Sequence, residues 1–250
     1  MQLYPAIDLK NGQCVRLKQG EFKEITVYSD KPEEIAALWQ AQGATYLHLV
    51  DLDGALAGHS VNEEVIRRIV DTVSIPVEIG GGIRSEEGIA SMLSLGVARV
   101  IIGTKAVKQP EFIRDMIHKF GAHRIVLGVD AKDGMVAVEG WETVSEITAS
   151  GLCSQMKEYG IRHIVYTDIS RDGMLSGPNV AYTKKLTDET GLDVIASGGM
   201  SSMEDLRQLY EAGVQGAIIG KALYEKRIDL SEAVKTFELQ DIKGGKYDGV

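Results

Sequence analysis

The chain has 250 residues, 44% hydrophobic and 25% charged, with only five prolines, so it is long enough to bury a large core and too apolar for disorder. A net charge of −9, uninterrupted by any lysine or arginine stripe, argues against a nucleic-acid partner, and an anionic small ligand would need positive potential made locally. The amino terminus MQLYPAIDLK has no basic stretch followed by an apolar one, no run approaches ~18 apolar residues, and Cys14 and Cys153 lack metal-ligand spacing. A soluble, cytoplasmic protein with no membrane span, disulfide framework or zinc site is therefore expected.

In chain order, eight short β-branched runs read as strands: 3–7, 45–50, 75–79, 98–102, 124–129, 162–167, 192–196 and 216–219. Apolar residues recur at helical intervals between them, as in Val65, Ile66, Ile69, Val70 and Val73, or Leu206, Leu209 and Tyr210. Ser201 with Glu204 resembles a capping box. Near-continuous apolar strands that each lead into a helix imply a parallel sheet, and eight units in this length suit an α/β fold of the closed (β/α)8 TIM-barrel type. A doubly wound open sheet is the alternative. No linker divides residues 1–250, so one domain is expected, with a frayed tail from about residue 240.

The run VIASGGMSS ends a strand in Ser197, Gly198 and Gly199, and VEIGGGIRS does the same with Gly81 and Gly82. Gly81 and Gly198 lie 117 positions apart, as do Asp51 and Asp168, Asn62 and Asn179, and the Ile-Ile-Gly runs ending at Gly103 and Gly220. One register kept across four motifs makes the barrel two four-unit halves. Active sites of this fold sit at the strand ends, where glycines let backbone N–H groups approach an anion at a helix N-terminus. The predicted sites are Gly81, Gly82, Gly103 and Thr104 on one side, and Ser197, Gly198, Gly199, Gly220 and Lys221 on the other, with Gly177 in SGPN nearby. Glycine also serves tight turns, but the pairing points to an elongated ligand with a phosphate at each end. Asp8 and Asp130 end the corresponding first and fifth strands. They suit a general acid and a general base, although a helix cap or a salt bridge would also place a carboxylate there.

The ordered set PAIDLKNGQCVRL, HLVDLDGA, VEIGGGIRS, IIGTKAV, GVDAKDG, YTDISRDGM, SGPN, IASGGMSS and AIIGKAL resembles the phosphoribosylformimino-5-aminoimidazole carboxamide ribotide isomerases of histidine biosynthesis, over residues 1 to about 237. The resemblance implies an Amadori rearrangement of a bisphosphorylated aminoaldose to an aminoketose, without a metal or organic cofactor, in a monomer with a small-molecule partner. By position, Asp130 would protonate the ribose ring oxygen and Asp8 would remove the C2 proton. Thr167 would lie near the reacting ribose, Trp141 would stack on the heterocycle, Arg84 would steady a phosphate, and Asp172 with Gly173 would help close the site. His48 and Asp51 end the second strand beside the mouth, where a buried, hydrogen-bonded histidine is the plainer account of His48.

Two other readings stay open. One is the sister cyclase barrel of the same pathway, whose pattern has a cysteine where this chain has Ala6. The other is a non-catalytic sugar-phosphate sensor, against which the paired carboxylates weigh. A related dual-specificity group also accepts phosphoribosylanthranilate. It has an arginine and a serine where this chain has Glu139 and Gly80.

Overall fold

The computed structural model describes residues 1–18 and 21–238. The frayed tail expected from about residue 240 lies outside them. Strand β1 (Gln2–Lys10) runs through a two-residue turn into β2 (Gln13–Lys18) and β3 (Glu21–Ser29), followed by α1 (Pro32–Ala41) and β4 (Leu47–Asp51). Next come α2 (Leu52–Ala57), α3 (Glu63–Thr72), β5 (Val77–Gly80), α4 (Glu86–Ser94), β6 (Arg99–Ile102), α5 (Thr104–Lys108) and α6 (Pro110–Phe120). The second half repeats the pattern with β7 (Ile125–Lys132), a hairpin of β8 (Met135–Val138) and β9 (Thr143–Thr148), α7 (Ala149–Glu158) and β10 (His163–Asp168). Then α8 (Val180–Thr190), β11 (Asp193–Ser197), α9 (Met203–Glu211), β12 (Gly216–Ile219), α10 (Lys221–Tyr224) and α11 (Leu230–Phe237) complete it.

Eight of these strands pair in parallel in the order β1-β4-β5-β6-β7-β10-β11-β12, and β12 returns to β1 to close a (β/α)8 barrel. The outward faces of the strands bury Leu3, Ile7, Leu49, Ile79, Val100 and Leu127 against the helices. Tyr4, Ala6, Val126, Val165, Ile195 and Ile218 form a smaller cluster inside the barrel.

The predicted helix faces point inward. Ile66, Ile69, Leu206 and Leu209 are fully buried, as are both cysteines. The helix start in SSMED lies one residue later than the sequence suggested: Ser202 caps α9 and Asp205 answers it, because Asp205 reaches the backbone N–H groups of both Ser201 and Ser202.

Two strands also run further than expected. Asp8 and Asp130 do not end β1 and β7. Each is followed by two more strand residues, since β1 pairs antiparallel with β2 and β7 with β8 beyond the barrel rim.

Candidate active site

The rim carries one cavity of about 280 Å³ at the carboxyl ends of the barrel strands. The half-barrel repeat is visible in its backbone. Gly81 and Gly198 have φ of 101° and 90°, and Gly82 and Gly199 have 76° and 84°. Gly103 and Gly220 share an uncommon conformation, φ −104°, ψ −94° and φ −102°, ψ −108°, and no side chain caps the helices α5 and α10 that they open. Amides at both ends of the mouth are therefore placed for an anion. Cations gather at the same ends despite the acidic chain. Arg84 and Lys105 line the first, and Lys221 lines the second, its Nζ also donating to the Gly173 carbonyl at 3.3 Å.

Space for a ligand does not alone explain the Gly-Gly turns. A Cβ at Gly81 would lie 2.2 Å from the Asp51 carbonyl oxygen, and one at Gly198 would lie 2.7 Å from that of Asp168. The turns are thus packed on the neighbouring strand ends as well as left-handed. Those ends are rigid for a reason that repeats. Asp51 is wholly buried and accepts from the Gly54, Val61 and Asn62 amides, the Ser60 hydroxyl and the Asn62 side chain. Asn179 donates to Asp168 at 2.7 Å in the other half.

Asp51 is therefore a bracket beneath the first anion end and does not line the cavity, contrary to the sequence reading. Gly177 also lies outside the lining. Its N–H donates to the Gly199 carbonyl at 2.9 Å, and its own carbonyl accepts from Arg171, so it braces the second end from behind.

Between the two ends the lining includes Asp8, Asp130, Thr167, Trp141, His48 and Asp172. Asp8 is ion-paired with Arg16 at 2.7 Å, and Arg16 also donates to the Ala6 carbonyl and lies over the Tyr224 ring. The hairpin supplies this arginine: β2 carries Arg16 back over β1. Burial pushes the Asp130 carboxyl above its ordinary value, while hydrogen bonds from the Trp141 indole and the Thr167 hydroxyl and the nearness of His48 offset part of that rise. Trp141 reaches inward from the turn between β8 and β9. Asp172 is pushed up to about 6, by burial first and by the charges of Asp8 and Asp130, against the pull of Arg16.

One carboxyl thus has its proton favoured while another is ion-paired across the same small cavity. That arrangement suits proton donation and proton removal on one bound molecule.

Sequence reasoning missed Lys105 as a lining residue and the pairing of Arg16 with Asp8. It also missed Glu78 and Arg99, which support His48 from inside the barrel. A signal for the last two was present: a glutamate in VEIG and an arginine in ARVII each interrupt an apolar strand.

Comparison with known proteins gives the family. The profile of the family described as "Histidine biosynthesis protein" matches residues 2–229. A 1-(5-phosphoribosyl)-5-((5-phosphoribosylamino)methylideneamino) imidazole-4-carboxamide isomerase of Lachnoclostridium phytofermentans is 61% identical over 238 residues, covering 95% of this chain and 100% of that protein. Identically named proteins of Desulforamulus reducens and Syntrophomonas wolfei are 54% and 52% identical, covering 94% and 95% of this chain and 96% and 99% of their own lengths. With these relatives matched almost end to end, the chain belongs to the histidine biosynthesis protein family.

Proposed function

We propose that this protein is an aldose–ketose isomerase that carries out the Amadori rearrangement of a bisphosphorylated ribosylamino-methylideneamino imidazole carboxamide ribonucleotide in histidine biosynthesis. The observation that carries the reading is the placement of Asp8 and Asp130 in one cavity between two matching glycine-lined ends, because a substrate with a phosphate at each end would present its ribose to both carboxyls. Asp130, its proton favoured by burial, donates to the ribose ring oxygen. The C1–O bond then breaks, with the nitrogen lone pair forming a Schiff base. Asp8 takes the C2 proton, the electron pair of that C–H bond shifts toward the nitrogen, and the resulting enaminol becomes the ketose. Arg16 holds Asp8 in place, Thr167 and Trp141 hold Asp130, and Arg84, Lys105 and Lys221 meet the phosphates.

The relatives' common name and Ala6, in place of the cyclase cysteine, favour the isomerase over the cyclase. The relatives' names support a small-molecule substrate, and the same proposal takes the protein to act on it as a monomer in the cytoplasm.

The test is to incubate the purified protein with the aminoaldose and follow the ultraviolet change to the ketose. Asp8→Asn and Asp130→Asn should each lower turnover at least about a hundredfold with folding intact, as expected when acid–base catalysis is lost. Near-normal turnover in either folded variant removes that residue from the mechanism, and no conversion by the wild type removes the reading.

A further inference from the structure

The barrel interior is not symmetric where its backbone is. Just below the mouth, Ala6, His48, Glu78 and Arg99 are register partners across β1, β4, β5 and β6. The equivalent row of the other half is Gly128, Val165, Ile195 and Gly216 across β7, β10, β11 and β12. The second row shows that the fold fills this level with apolar residues and glycine. The first row instead buries an ionised pair, which is costly unless every polar atom is satisfied and the pair has a use.

The satisfaction is complete at the carboxylate. Glu78 is wholly buried, with Oε1 at 2.7 Å from His48 Nδ1 and Oε2 accepting from Arg99 Nε at 2.7 Å. Arg99 donates further to the Tyr4 hydroxyl at 2.9 Å and lies over the Tyr4 and Tyr46 rings. Burial opposes the Glu78 charge, yet the His48 and Arg99 hydrogen bonds outweigh it and hold the carboxyl below its usual range. A carboxylate can only accept, so Nδ1 of His48 carries the hydrogen that it shares with Glu78. Arg99 balances the charge of Glu78, so the pair acts as an oriented acceptor with little net field. His48 lines the cavity, and its Nε2 has no protein hydrogen-bond partner among the described residues.

We infer that Glu78, clamped by Arg99, is a positioning residue that fixes the tautomer and ring orientation of His48, so that His48 Nε2 takes a hydrogen bond from a ribose hydroxyl of the substrate held between Asp8 and Asp130. This rests on the isomerase reading given above. The asymmetry follows from it, since the two phosphate ends are alike while the reacting sugar is not and needs a polar partner from one half only. Glu78→Gln tests the arrangement sharply: the amide retains the shape, but its NH2 would face Nδ1 and invert the tautomer.

The experiment combines nitrogen NMR of 15N-histidine-labelled protein with kinetics. His48 signals are assigned by their loss in His48→Asn, and the wild type should show the Nδ1–H tautomer. In folded Glu78→Gln, kcat should fall at least about tenfold while KM stays within about threefold. Adding Glu78→Gln to His48→Asn should lower kcat by less than about twofold more, because Glu78 acts only through the ring. An Nε2–H tautomer in the wild type overturns the inference even if Glu78→Gln does not fold. So does near-wild-type kcat in Glu78→Gln, or a fully additive loss in the double variant. Each of these outcomes is distinct from failure of the isomerase reading, in which the wild type would convert nothing.

Discussion

Asp172 sits on the loop after β10, half-buried, with two other carboxyls facing it across the mouth. Its folded-state value of about 6 lies above the ordinary 3.8, so the folded chain binds more protons than the unfolded chain between those values. Stability linked to Asp172 is therefore fully present below about pH 3.8 and is lost as pH rises through about 6. Asp172→Asn removes that loss. The ligand-free protein should gain ~1–2 kcal/mol at pH 8, a few degrees in Tm, and almost nothing at pH 4. Thermal melts of both proteins at the two pH values check this, and an equal shift at both would show that the carboxyl titrates as if in water. The sequence marked Asp8 and Asp130 because a carboxylate after an apolar strand stands out, whereas Asp172, four residues past its strand, was implied only by the family resemblance. The same signal misled at Asp51, since a carboxylate at a strand end is equally a helix cap, and only the five donors around it separate the two roles. Arg16 could not be assigned from one strand, because its meaning depends on the register of β2 against β1.

At the level of elements, the Gly-Gly turns carry two constraints at once. If the glycines served only to let backbone N–H groups approach an anion, bulk at Gly81 or Gly198 would chiefly weaken ligand binding. The structure adds a left-handed backbone and a neighbouring carbonyl in the path of any Cβ. Gly81→Ala should therefore destabilise the ligand-free fold by at least ~2 kcal/mol, or roughly 4–8 °C in Tm. Gly80→Ala provides the control, because its Cβ would meet Ile101 at an ordinary 3.5 Å. Equal melting temperatures for Gly81→Ala and wild type would return the glycine to a purely ligand-binding role.

The eight barrel strands were legible because each is a short β-branched run followed by a helical period. The added strands β2, β3, β8 and β9 were not assigned, although Asn11-Gly12 between β1 and β2 and Asp133-Gly134 between β7 and β8 are two-residue turn signals. Those strands matter to the site, for one pair delivers Arg16 and the turn of the other delivers Trp141.

For the molecule as a whole, the repeated frame gives the mouth two similar ends, so on the proposed reading specificity falls to what breaks the symmetry. Glu139 is one such place. It lies exposed on the turn between β8 and β9, with φ of +58°, its carboxylate paired with Lys108 and its N–H on the Thr104 hydroxyl at the first anion end. Phosphoribosylanthranilate presents a carboxylate that a guanidinium holds bidentately and a glutamate repels. Loss of the surface pair with Lys108 costs little, so changing Glu139 leaves the fold standing. Gly80 has room for a serine, judged by the same contact with Ile101. The wild type should therefore favour the histidine intermediate over phosphoribosylanthranilate by at least about a thousandfold in kcat/KM, roughly 4 kcal/mol of transition-state binding. Glu139→Arg with Gly80→Ser should narrow that gap by at least about tenfold while leaving Tm within a few degrees. The measurement is kcat/KM for both compounds on one preparation of each protein, supported by growth of a strain lacking the tryptophan-pathway isomerase. Comparable wild-type values for the two substrates would mean that Arg16, already in the mouth, suffices to hold the anthranilate carboxylate. An unchanged ratio in the double variant would place the discrimination elsewhere than on this turn.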